Sequence, residues 1–110
     1  MSLRVRTEIL PSPIHGRGLF ALEPIAAGTV VWKYDPAVDR IEIEPDPNGY
    51  SWRVFSGHVV PGDAACFINH SSTPNLSTTP GLSPCVAARD IAAGEEITED
   101  YSYDPDWGGT

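Results

Sequence analysis

Three stretches of the chain hold residue types able to do chemistry. "FINHSSTPN" (Phe67 to Asn75) sets an Asn-His pair, Asn69 and His70, in a run of small and polar residues where a small domain would place core. Both side chains bond ligands, and both equally bond the backbone of a turn such as "STPN" would make. Ser71 beside His70 suggests a nucleophile and its base, but strand neighbours point to opposite faces and no G-x-S-x-G elbow is present. "HGRGLFA" (His15 to Ala21) places Gly16 and Gly18 around Arg17 ahead of an apolar strand. Such glycines let backbone approach a ligand, or simply make a tight turn. The third glycine and the helix of a dinucleotide fingerprint are missing. "GEEITEDY" (Gly94 to Tyr101) ends on a tyrosine flanked by acids, a weak base but a good hydrogen-bonding wall for an amine. Cys66, Cys85, His58 and His70 show no zinc-ligand spacing, so no metal is expected.

These residues must be positioned by short strands. Alternation at Leu3, Val5 and Thr7, then "GLFAL", "TVVW", "RIEIE", "CFI", "PCVAA" and "EEIT", gives apolar or alternating runs broken by Pro, Gly, Asn and Asp. Residues Gly49 to Phe55 read equally as helix or strand, after a "PDPNG" turn. "IAAGTVV" (Ile25 to Val31) and "IAAGEEIT" (Ile91 to Thr98) predict two similar turns, each leading into a strand. The chain reads as one mainly β domain, residues 1–110, a length that supports a single core.

Charge sets bounds on partners. The net charge is −8, and from Asp90 onward there are seven acids and no Lys or Arg, leaving eight acids against seven bases before it. Direct nucleic-acid binding is not expected of such a surface. A solvated acidic tail and a surface attracting a basic peptide both fit. No apolar run approaches the roughly eighteen residues of a membrane span, and "MSLRVRTEIL" lacks the features of a signal peptide, so no membrane partner and a cytoplasmic address are expected. The two cysteines read as reduced, buried small hydrophobes.

The order "HGRGLFA", "FINHSSTPN", "IAAGEEITEDY" resembles the SET-domain family of protein lysine methyltransferases, in its minimal form without flanking zinc-binding segments. The resemblance spans residues 16 to 101. It implies a β-clip-like fold of small sheets with a C-terminal pseudoknot, in which the stretch leading to Tyr101 threads under the "SSTPN" loop. It implies S-adenosylmethionine as cofactor, bound by Gly16, Arg17, Gly18, Asn69 and His70, with Trp107 against the adenine. Tyr101 would be the catalytic tyrosine, and Tyr50 an aromatic of the lysine channel. Ser72 stands where the family usually has Cys, and Lys33 where Glu is frequent.

The implied activity is transfer of a methyl group from S-adenosylmethionine to a lysine of a basic, histone-like or other protein. A second reading stays open: a SET-like binding module for a basic partner, with little turnover. Monomer and homodimer both remain open, as do the target lysine and the degree of methylation.

Overall fold

The computed structural model describes residues 3–44, 52–54, 57–60, 62–77 and 84–100, with the backbone alone for the segments between 52 and 60. In chain order the strands are β1 (Thr7–Pro11), β2 (Arg17–Ala21), β3 (Val30–Trp32), β4 (Arg40–Glu42), β5 (Trp52–Val54), β6 (Gly57–Val60), β7 (Asn69–His70), β8 (Leu76–Ser77), β9 (Cys85–Ala87) and β10 (Thr98–Glu99). Among the described residues they form four small sheets: β1-β2, β3-β9-β8, β4-β6-β5 and the parallel pair β10-β7. The mainly β expectation holds. No helix among these residues is long and apolar enough to cross a membrane.

Most of the apolar runs become strands, and three depart. "CFI" is not a strand: Ala64–Phe67 forms a single 3-10 turn. Asp63 caps it, accepting from Ala65 N at 3.1 Å while its other oxygen accepts from Leu3 N at 2.9 Å. A side chain offering that bond locally turns the backbone out of extension. "EEIT" yields a bridge at Glu96 and a strand only from Thr98. In "RIEIE" the strand stops at Glu42, leaving Ile43 86% exposed. The ambiguous segment is settled as strand over Trp52–Val54, paired antiparallel with β6.

The two Ala-Ala-Gly turns share one geometry. Thr29 N donates to Ala26 O at 3.1 Å, and Glu95 N to Ala92 O at 3.0 Å. Gly28 and Gly94 take φ of 86° and 84°, the left-handed value a type II turn requires at its third residue. The turns also meet: Ile25 and Ile91 exchange both backbone bonds at 2.8 Å. After its turn, the second segment runs along the free edge of β2. Gly94 N donates to Ala21 O, Ala21 N to Glu95 O and Ile97 N to Leu19 O. At the next residue the chain leaves β2 and pairs Thr98 with Asn69 and Glu99 with His70.

That exchange of partners makes a crossing, and Asn75 holds it. Asn75 is 1% exposed. Its Nδ2 donates to Glu96 O at 2.7 Å and to Glu95 Oε2 at 3.1 Å, while its Oδ1 accepts from Thr98 N at 2.9 Å. Ser71 N donates to Glu99 O at 2.9 Å on the other flank. A two-residue parallel pair supplies too few bonds to fix a register alone, so the side chain acts as an extra rung.

Around the crossing, three polar residues each adjoin a fully buried aliphatic one: Ile68 and Asn69, Asn75 and Leu76, Glu96 and Ile97. Burying each aliphatic side chain contributes roughly 1.5–3 kcal/mol. Because successive extended residues face opposite ways, it also aims the polar neighbour away from the core.

Replacing Asn75 with Ala leaves the buried Thr98 N–H and Glu96 carbonyl short of a partner. The expected loss is roughly 1–3 kcal/mol of unfolding free energy in urea, without a change in the slope of the transition. An unchanged midpoint would show that β7 and β10 hold the crossing without the amide.

Candidate functional site

The turn between β1 and β2 is built by Ser12. Its N–H donates to Gly16 O at 2.9 Å, and its Oγ accepts from Ile14 N at 3.0 Å and His15 N at 3.4 Å. The two glycines of "HGRG" serve different ends. Gly16 has φ 46° and open space where a Cβ would stand, so backbone conformation selects it. At Gly18 a Cβ would lie 2.3 Å from Glu96 Oε2, so close approach selects it.

Asn69 reaches this turn across more than fifty residues of sequence. Its Nδ2 donates to the carbonyls of His15 and Arg17, each at 3.1 Å, and to Glu96 Oε2 at 2.9 Å. With three acceptors around the nitrogen, the amide orientation is fixed. Among the described residues nothing donates to Asn69 Oδ1. The structure therefore brings Gly16, Arg17, Gly18 and Asn69 together as expected. It places His70 next along β7, with Nδ1 3.7 Å from Asp100 Oδ1. Arg17 is exposed, as are Lys33 and Ser72. Tyr101, Tyr50 and Trp107 lie outside the described residues, whereas the stretch leading to Tyr101 is described as far as Asp100 and meets the 71–75 loop through the Ser71–Glu99 and Asn75–Thr98 bonds. Ser71 gives no sign of a nucleophile: its Oγ accepts from Thr73 N at 3.1 Å within its own turn.

The acidic stretch is bonded into the fold over its described length, residues 90–100, and this corrects its reading as a solvated tail there. Asp90 Oδ1 accepts from Ala27 N at 2.9 Å. The Arg89 guanidinium bonded to Glu95, joined by the Ala92 N–H and the Asn75 amide, outweighs partial burial and holds the Glu95 carboxyl down to about 2. Glu99, expected on the surface, is 2% exposed. The thiol of Cys85 lies 3.8 Å from its Oε2, and among the described residues Oε1 has no hydrogen-bond partner. Burial pushes the Glu99 carboxyl up to about 7, with the Cys85 contact pulling weakly the other way. Burial first, and the Glu99 charge second, push the Cys85 thiol up, away from the reactive thiolate. Neither Cys66 nor Cys85 forms a disulfide.

A groove of about 690 Å³ between Leu3–Arg6 and Glu23–Thr29 contains none of these residues. The chemistry-bearing cluster is the shallower junction of the β1-β2 turn, β7 and the 94–97 segment.

The SET-domain family model matches residues 16–102. The chain belongs to the SET-domain family. Similar SET proteins include an H3 lysine-4-specific histone-lysine N-methyltransferase of Yarrowia lipolytica, 37% identical over 88% of this chain and 10% of that one. Human histone-lysine N-methyltransferase 2B is 39% identical over 84% and 4%. The chain thus spans a tenth or less of the length of these two curated relatives. Among solved structures, KRYPTONITE in complex with mCHH DNA, an H3(1–15) peptide and SAH superposes with a TM-score of 0.66 at 27% identity, over 97% of this chain and 26% of that one. A Plasmodium falciparum structure, 21% identical, shares the fold at a TM-score of 0.63 over 90% and 95%.

Within this SET domain, sequence reasoning missed Ser12 and the bonding role of Glu96. Glu96 carried a signal in retrospect: it sits one residue before a buried isoleucine, two after a turn glycine, so it had to face the hairpin. Ser12 carried none.

Glu99 gives the site a measurable pH signature. Its folded-state pKa lies above the ordinary value of 4.5, so the folded chain keeps a proton that the unfolded chain loses. That contribution is full below about 4.5 and is lost as pH rises through about 7. Urea unfolding of wild type and Glu99→Gln should show the wild type losing stability relative to the variant across this window. Parallel curves would mean the carboxyl titrates normally.

Proposed function

We propose that this SET domain is a protein lysine methyltransferase that uses S-adenosylmethionine and acts on a basic, histone-like segment. The observation that carries the reading is the Asn69 amide stitched to the carbonyls flanking Gly16, 3.1 Å from each. It leaves an acceptor oxygen beside an open glycine turn and an exposed arginine. That donor set fits the amino-acid end of the cofactor, an ammonium for Asn69 Oδ1 and a carboxylate for donors of the turn. The relatives' names and the peptide in the KRYPTONITE complex support the substrate class.

When bound, S-adenosylmethionine supplies an electrophilic methyl group on a sulfonium. The chain's task is then to present a neutral amine in line. A lysine amine titrates near 10.4 in water, so a narrow apolar channel must favour the uncharged form by desolvation. In the proposed roles, the Tyr101 hydroxyl orients the amine, Tyr50 walls the channel and Trp107 covers the adenine. The site would hold the amine in line with that methyl group, so that the methyl could pass to nitrogen and leave a neutral thioether, the amine's proton going to solvent. Alignment and fixed dipoles supply the rate. Glu95 is paired with Arg89 and Glu99 is buried, so the exposed Asp90 together with Asp104 and Asp106 would attract a basic substrate.

Tyr101→Phe keeps the ring and removes the hydroxyl. Methyl transfer to a basic peptide, followed by mass spectrometry, should fall about 10²–10³-fold while cofactor affinity stays within a few-fold. The wild-type rate should rise toward alkaline pH as the neutral amine becomes available. Equal turnover by both proteins would remove Tyr101 from the mechanism, and no turnover by either would favour a binding module.

A further inference from the structure

Glu96 bonds to both the β1-β2 turn and Asn69 of β7. Ser12 Oγ donates to its two oxygens, at 2.8 and 2.9 Å, and Asn69 Nδ2 donates to Oε2 at 2.9 Å. The carboxylate lies where a side chain at residue 18 would begin. Its two arms end in the same short turn. One runs through Ser12 to the N–H groups of Ile14 and His15, the other through Asn69 to the carbonyls of His15 and Arg17. Glu96 is held there by the Phe20 bridge and by Ile97, fully buried behind it.

An asparagine amide is nearly symmetric in shape, and rotating it by half a turn exchanges donor for acceptor at little steric cost. Neighbours decide which end faces a ligand. Two carbonyls already favour nitrogen toward the turn, and a carboxylate makes that choice charge-assisted, roughly twice as strong as a neutral bond. The reverse orientation would set two oxygens against each other. We propose that Glu96 is a positioning residue for the cofactor site: it locks the Asn69 amide with Oδ1 outward and, through Ser12, holds the 12–18 turn in its binding shape. The assignment rests on the cofactor reading above. Pre-organisation of this kind shows as affinity, because the free protein then has fewer wrong arrangements to abandon.

The test is calorimetric titration of S-adenosylhomocysteine into wild type, Glu96→Ala, Glu96→Gln and Ser12→Ala, each checked for folding by circular dichroism. Glu96→Ala should bind at least about tenfold more weakly. Glu96→Gln should recover most of that loss, since its carbonyl still accepts from Asn69 Nδ2. Ser12→Ala, which cuts only the turn arm, should lose a few-fold. In amide-resolved NMR the Asn69 side-chain resonances should be sharp in wild type and Glu96→Gln, and broadened in Glu96→Ala. A folded Glu96→Ala that binds like wild type overturns the proposal. If that variant does not fold, unchanged affinity in Ser12→Ala overturns it. Absence of binding by the wild type would overturn the cofactor reading together with this assignment.

Discussion

The Asn75 amide joins two segments that cross with little backbone pairing of their own. On one side are β7 and the loop after it; on the other, the chain from the 92–95 turn into β10. Asn75 spans them with three bonds and is shielded from water, so each bond lacks a solvent competitor. With the crossing fixed, the 94–97 segment lies along β2 while its continuation lies along β7. One strand segment thereby carries Glu96 to the G-R-G turn and leads onward toward Tyr101.

Electrostatics follows from that arrangement. The acids near the C-terminus occupy different environments within a few residues. Glu95 is held ionised by Arg89, Glu96 is saturated with hydroxyl and amide donors, and Glu99 is buried beside a thiol. A net charge concentrated in sequence is therefore divided in space between a surface ion pair, a site ligand and an uncompensated interior carboxyl. Retaining that interior acid next to the crossing disfavours the folded state once it ionises.

Much of this was legible in the residues, and the limits have physical reasons. Strands β2, β3 and β9 could be read because "GLFAL", "TVVW" and "PCVAA" bury alternate or continuous apolar side chains between turn residues. The paired Ala-Ala-Gly turns could be read because the third position of such a turn needs a left-handed φ that glycine takes without steric cost. The proposed cofactor site could be read as three motifs, but not its wiring. Asn75 looked like a turn residue because "STPN" favours turns locally, whereas its bonds reach twenty residues ahead. Glu99 looked exposed because acids usually are. "CFI" looked like a strand because an apolar triplet carries no mark of the Asp63 cap ahead of it. For Asn75 and "CFI" a long-range or side-chain-to-backbone bond overrode the local pattern, and for Glu99 burial at the crossing did.

The central claim is that the crossing builds the cofactor cradle at the junction of the β1-β2 turn and β7. The most direct measurement is amide hydrogen exchange with and without S-adenosylmethionine. Ser71 and Thr98 should exchange slowly in the free protein. Binding should add protection across residues 12–18 and 69–71 and leave the groove lined by Leu3–Arg6, Glu23–Ala26 and Thr29 unchanged. Protection confined to that groove, with the turn and β7 unaffected, would contradict it.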